Sequence, residues 1–167
     1  MTVRSAGLLL YRRPAGAREA DVEVWIAHMG GPFWARKDAH AWSIPKGEFA
    51  DPEDPLAAAI REFTEEIGTP PPSADYRLLG EFRQPSRKLI TVFAAEADFA
   101  PERIESNVFP LEWPKGSGQV RYFPEIDAAA WFALPAAREK LVSGQLPILD
   151  ALGREIAGLS RGESSRS

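Results

Sequence analysis

Residues 47–69, GEFADPEDPLAAAIREFTEEIGT, gather Gly47, Glu53, Arg61, Glu62, Glu65, Glu66 and Gly68 into one short run. Asp54 ahead of Pro55 reads as a helix N-cap with proline in the first turn, and Gly68 as the stop of the same helix. On that helix Glu62, Glu65 and Glu66 fall at i, i+3 and i+4, so three carboxylates project from one face. Carboxylates this close repel one another, and a hard, oxygen-seeking dication such as Mg²⁺ relieves the conflict. A solvated acidic helix face would carry the same spacing and no such chemistry.

The spacing is also that of G-x5-E-x7-R-E-U-x-E-E-x-G-U, in which U is a bulky apolar residue. All seven fixed letters are present and Phe63 fills the first apolar slot, while Thr69 is a polar departure in the last. At roughly 7% per letter, such a match would arise by chance on the order of once in a million chains of this length. On these residues the chain resembles the Nudix hydrolases. The resemblance implies an α/β fold, a Nudix-type α/β/α sandwich with a mixed sheet between helices. It also implies hydrolysis of a nucleoside diphosphate linked to another group, with Mg²⁺ or Mn²⁺ as cofactor. By position in the motif, Glu62, Glu65 and Glu66 are the expected metal ligands, joined by the backbone carbonyl of Lys46. Gly47 lets the loop approach the metal, and Arg61 with Glu53 braces the carboxylates. Relatives often supply a further carboxylate from a later strand. The segment FPEIDAAAWF makes Glu125 the candidate, with Glu112 as its competitor. Glu65, Glu66 and Glu125 all stay open as the group that takes the proton from water, and Arg61 completes the expected catalytic set.

Substrate contacts are less specific. Lys46 in WSIPKG is placed to meet a phosphate as a point charge, and Lys88 and Arg83 could extend an electropositive lip. In GGPFWARKDAHAW, Trp34 is the first choice to stack a base, ahead of Trp42, with Phe33 beside it. Arg36 and Lys37 would suit a long phosphate chain. The runs WSIPKGE and PEIDAAAWF are similar to the dinucleoside polyphosphate branch, exemplified by diadenosine tetraphosphate. The strand TVFAAE, however, carries Phe93 and lacks the tyrosine often found there. Nucleoside triphosphates and nucleotide sugars are the alternative substrates, followed by inositol or other polyphosphates. A non-catalytic nucleotide sensor is the rival class, and it is disfavoured because every motif carboxylate is retained. An RNA-processing role is a third reading, disfavoured by the acidic balance.

The elements that must position these groups follow from composition and pattern. The 167 residues carry 20 Lys and Arg against 24 Asp and Glu, a net charge of −4, which gives no reason to expect generic affinity for nucleic acid or anionic lipid. The absence of Cys excludes disulfides and thiolate chemistry, and two His cannot build a His/Cys zinc site. No apolar run reaches the roughly 20 residues that cross a bilayer, so a cytoplasmic protein with no membrane partner is expected. The partner is then a small phosphorylated molecule, a nucleotide by resemblance, and the sequence leaves the oligomeric state open. Strands are expected over 3–11, 22–28, a short piece in WSIPKG, 77–83, 88–97 and 122–132. Helices are expected over 55–67, 134–143 and 147–157, and residues 98–119 read as an irregular Pro- and Gly-containing connection. One domain over 1–157 followed by a disordered tail, 158–167, completes the reading.

Overall fold

The structure is a computed structural model that describes residues 2–164. Along the chain run β1 (Arg4–Arg12), β2 (Glu23–Met29), β3 (Trp42–Ser43), β4 (Lys46–Glu48), α1 (Pro55–Ile67), β5 (Arg77–Arg83) and β6 (Leu89–Glu96). There follow β7 (Val108–Glu112), β8 (Val120–Pro124), β9 (Ile126–Ala133), α2 (Leu134–Lys140) and α3 (Leu146–Ser164).

The apolar stretch of β1 explains the layering. Successive strand residues face opposite sides, and here both sides are covered. Ala6, Leu8 and Leu10 join Ala58, Ala59, Phe63 and Ile67 of α1 in one core. Leu9 and Tyr11 join Ala137 of α2 and Ile148, Leu149 and Leu152 of α3 in the other. A strand buried on both faces has no position for polar alternation, which is why GLLLY reads as a continuous run.

Seven strands form one sheet in the order β3-β2-β1-β6-β5, with β4 also paired to β1 and β9 to β2. β1 and β6 are parallel and the other pairings antiparallel, so the sheet is mixed. This is the mixed sheet between helical layers that the sequence leads one to expect. β1 changes partner along its length: Tyr11 pairs with Val24 of β2, whereas Ser5, Ala6 and Gly7 pair with Glu48, Gly47 and Lys46. The splay between β1 and β2 admits β4 and lays Lys46–Glu48 beside α1. β3 is fixed from behind by Gln145, which is fully buried. Its amide oxygen accepts from the Ile44 N–H at 2.9 Å and its nitrogen donates to Ser43 Oγ at 2.9 Å.

Three expectations need correction. Residues 98–119 are not irregular throughout, because β7 pairs with β8 in a separate two-stranded ribbon from Val108↔Pro124 to Glu112↔Val120. The strand expected over 122–132 is accordingly two strands, broken at Glu125. α3 continues past Ala157 to Ser164, so the segment read as a tail begins as helix, while residues 165–167 lie outside the described residues. Among the described residues no helix is long and apolar enough to cross a membrane.

Candidate active site

α1 is set by its ends. The Asp54 carboxylate accepts from the Ala57 N–H at 3.0 Å, Pro55 occupies the first turn, and Gly68 closes the helix in the left-handed region with φ of 85°. With Ala58, Ala59, Phe63 and Ile67 committed to the core, Glu62, Glu65 and Glu66 lie half-buried along the edge that meets β4.

Two contacts lock that edge. The Lys46 backbone N–H donates to Glu66 Oε2 at 3.1 Å. At Gly47, a Cβ would overlap the Glu62 carboxylate, so any other residue here would push that side chain aside. Burial drives the Glu66 pKa up to about 8, against the lowering effect of Lys46 and its N–H. Glu62 is also raised, by burial first and despite Arg61.

Arg61 is the brace. Its Nε and Nη2 donate to the two Glu53 oxygens at 2.8 and 2.9 Å. Its Nη1 donates to Glu62 Oε1 at 2.9 Å and to both Glu65 oxygens at 3.3 Å. The planar fork thereby spans the loop before α1 and two carboxylates of the helix, a pattern a single ammonium cannot copy. Glu53, held by these bonds, stays below its ordinary pKa.

Glu125, between β8 and β9, completes the group. Its pKa is raised by partial burial and then by Glu62 and Glu65, and Glu66 is raised in part by Glu125. The Lys46 side chain acts on both Glu66 and Glu125 as a neighbouring cation. Glu112 is elsewhere, at the far end of the ribbon, where it accepts from the Gly118 N–H at 3.2 Å.

The set is chemically suited to a hard dication: oxygen donors only, partly buried, around a glycine that leaves the loop open. Among the described residues, no three His, Asp or Glu side chains are drawn together closely enough to hold a metal ion in this arrangement, in which Arg61 engages Glu62 and Glu65.

The remaining candidates separate. Lys88 pairs with Glu48 at 3.2 Å beside Gly47. Arg83 is exposed at the end of β5. Trp42 is a packing residue, buried against His28 and Phe132 with its Nε1 donating to Asp38 at 2.9 Å, and cannot stack a ligand without leaving the core. Phe93 packs on the α1-side core. Trp34, half-buried, stands edge-on to the exposed Phe33 at 5.1 Å, and Lys37 Nζ lies 3.7 Å from the Phe33 ring centre. Arg36 is exposed on the same loop.

Sequence reasoning missed what holds that loop. His28 bridges Asp127, at 2.7 Å from Nδ1, and the Lys37 carbonyl, at 2.6 Å from Nε2. Asp38 meets both Trp42 and Lys140, the latter at 2.7 Å. No spacing in the sequence signals the His28–Asp127 and Asp38–Lys140 pairs, whose members are about a hundred residues apart. The ribbon did carry a signal, the apolar alternation on either side of PKGSG.

With this geometry, the match to known proteins is decisive. The sequence model of the NUDIX domain matches residues 1–152. The chain belongs to the Nudix family. It is a Nudix hydrolase by this family match and by its similarity to a pyrophosphohydrolase. It is 27% identical over 137 residues to the RNA pyrophosphohydrolase of Acidiphilium cryptum (strain JF-5), covering 74% of this chain and 76% of that protein. Its fold is similar to that of the C. elegans Ap4A hydrolase in a binary complex, with a TM-score of 0.63, 21% identity, and coverage of 94% and 99% of the two chains. It is also similar to the NUDIX domain of Shewanella oneidensis NrtR complexed with ADP ribose, with a TM-score of 0.59, 13% identity, and coverage of 93% and 89%.

Proposed function

We propose that this Nudix hydrolase cleaves a phosphoanhydride bond of a nucleoside diphosphate-linked substrate, with a dinucleoside polyphosphate as the preferred form. The observation that carries the reading is geometric: Glu66 accepts from the Lys46 N–H and Glu62 lies against Gly47, while Arg61 fastens Glu62 and Glu65. Carboxylates grouped this way repel one another, and a bound dication relieves that repulsion.

Glu62, Glu65, Glu66 and Glu125, with the carbonyl of Lys46, would hold Mg²⁺ or Mn²⁺. When bound, the dication supplies Lewis acidity at a phosphoryl oxygen and acidifies water. The rest is done by the chain itself. Lys46 offers its ammonium to a phosphate next to the carboxylates. Arg61 holds the Glu62 and Glu65 carboxylates side by side on the face of α1. Glu66, which holds a proton up to about pH 8 without a cation, must release it to act as a ligand or base. Glu65 and Glu125 are the other candidates for the base. Lys37 and Arg36 offer charge to a longer phosphate chain, in keeping with a polyphosphate.

Nucleoside triphosphates and nucleotide sugars are the alternative substrates, and RNA joins them through the relative named RNA pyrophosphohydrolase. The deciding experiment is a panel of these substrates with Mg²⁺ and Mn²⁺, with products identified by mass. Release of a mononucleotide and a nucleoside triphosphate from diadenosine tetraphosphate, faster than any other turnover, is the expected result. Nucleotide binding with no turnover in the whole panel would instead make the chain a sensor.

A further inference from the structure

A cavity of about 520 Å³ lies between the loop after β2 and the β7–β8 ribbon, walled by Gly31, Phe33, Trp34, Phe109, Leu111 and Trp113. We propose that this cavity is the nucleobase subsite of the hydrolase, the ribbon supplying one wall and the Phe33–Trp34 loop the other. The inference rests on the hydrolase reading of the carboxylate site and specifies where the substrate's planar end binds.

Four observations carry it. First, the cavity adjoins the carboxylates through backbone: the Gly30 N–H donates to the Glu125 carbonyl at 2.8 Å. A Cβ at Gly30 would overlap the Pro124 carbonyl oxygen, and one at Gly31 would come within 2.8 Å of the Phe109 ring. The two glycines therefore bring the loop hard against the base of the ribbon, one residue from Glu125.

Second, the walls suit a flat ring. The inner face of the ribbon presents Phe109 and Leu111, with Phe109 tilted against Phe123 at 6.2 Å, and Trp34, packed at the edge of the core, also lines the cavity. The volume falls in the usual range of small-molecule sites, about 300–1,000 Å³. Aromatic walls accept any base, since every base has a π-face.

Third, the charges are sorted. Lys115 lines the cavity, and Lys37 lies over Phe33, where phosphates leaving a stacked base would meet cations. Glu112, the acidic residue at the rim, is turned to the Gly118 N–H of the ribbon tip. The neutral planar end enters and the anionic end stays outside.

Fourth, both walls are held in place. His28 ties the loop to Asp127 through the Lys37 carbonyl. The ribbon tip is closed by the Trp113 N–H on the Gln119 carbonyl at 2.9 Å and the Ser117 N–H on the Pro114 carbonyl at 3.0 Å. A preformed slot loses less entropy on binding than one assembled by the ligand.

The test uses the full chain with Mg²⁺. The probes are a methylene-bridged, non-hydrolysable adenosine triphosphate analogue and inorganic tripolyphosphate, which has the same phosphates and no base. Trp113 is 37% exposed and belongs to the ribbon outside the main sheet, so Trp113→Ala leaves the core intact, and Leu111→Ser is the second variant. The expected result is quenching of tryptophan fluorescence by the analogue alone. Both variants should weaken analogue binding by about tenfold, leave tripolyphosphate binding unchanged, and raise KM with kcat retained. Equal binding of both probes by native chain and variants would overturn the inference, as would a self-associated native chain that Trp113→Ala disperses. Hydrolysis by the native chain with KM indifferent to Trp113→Ala refutes the subsite alone. Base-dependent quenching without any turnover upholds the subsite and refutes the hydrolase reading.

Discussion

The Lys46 N–H and the Glu66 carboxylate, 3.1 Å apart, join the first residue of β4 to the last acidic residue of α1. This bond fixes where the strand crosses the helix, and it buries an acid that has too few donors to remain charged. Glu66 therefore titrates near pH 8 instead of at its ordinary 4.5.

The sign of the resulting pH dependence follows. A carboxyl with a raised folded-state pKa binds more protons folded than unfolded, so its stabilising effect is complete below about pH 4.5 and lost as pH rises through about 8. Glu62 and Glu125, raised in the same direction, add to the trend. In chelator, Tm is expected to fall between about pH 5 and about pH 8. Glu66→Gln should flatten most of that slope. Adding Mg²⁺ should raise Tm more at the alkaline end, because ligands must shed protons to bind it. A chelated protein whose Tm climbs over the same interval would contradict the burial of Glu66.

Glu65→Gln and Glu66→Gln remove charge with almost no change of shape. Each is expected to lower kcat by about 10²–10⁴-fold while Tm at neutral pH is unchanged or, for Glu66→Gln, higher. Steady-state kinetics beside thermal melts check both halves. Native turnover in either variant would remove that residue from the catalytic set.

Arg61→Lys tests geometry at constant charge. An ammonium cannot hold both Glu53 oxygens and still reach Glu62 and Glu65, so the two helix carboxylates lose their brace. Metal affinity is expected to fall by about 10–100-fold, read by Mn²⁺ titration, with kcat falling alongside. Glu53→Gln keeps an acceptor for Arg61 and should cost less on both counts.

What could be read from the chain beforehand divides by the range of the interactions. α1 and its carboxylates were legible because cap, stop and charges lie within one run of sequence and obey helical spacing. The pairing of Glu125 with that helix came from resemblance to relatives. No local pattern brings residue 125 to residue 62. The ribbon was hidden by Pro110, which argues against a strand wherever its missing N–H would be needed; in a two-stranded ribbon there is no inner strand to need it. Trp42 reads only as the second choice to stack a base, and it packs instead; aromatic side chains look alike in sequence whether they line a cleft or, as here, cross a core and hydrogen-bond to Asp38. The His28–Asp127 and Gln145–Ile44 contacts join residues about a hundred positions apart, beyond any periodicity.

Gln145 gives a prediction of its own. Its side chain satisfies the buried Ile44 N–H two residues before Lys46. Gln145→Ala strands that donor away from water, at a cost of about 1–3 kcal/mol. Gln145→Leu restores volume without restoring the acceptor, so little of the loss should be recovered. Urea unfolding of the three proteins decides it. Equal stability of the leucine variant and the native chain would show that the amide is dispensable to β3.

Gly47→Ala is the sharpest test of the site, because the substitution adds one methyl group and no charge. β4 pairs with β1 through Ala6↔Gly47, so the strand cannot move away without breaking the sheet. α1 cannot move away either, since Ala58, Ala59, Phe63 and Ile67 seat it in the core. The new methyl must therefore displace the Glu62 carboxylate, which in turn pulls on Arg61 through their 2.9 Å bond. Crowding of this kind costs about 1–3 kcal/mol, and it falls on a residue expected to hold the cation. The variant should melt a few degrees lower, bind Mn²⁺ more weakly, and lose most turnover. Shortening the obstructing side chain separates the effects: in Gly47→Ala with Glu62→Ala the strain is relieved and Tm returns, while activity stays lost because the carboxylate is gone. If the double variant melts no higher than Gly47→Ala alone, the strand and Glu62 are not in contact as described.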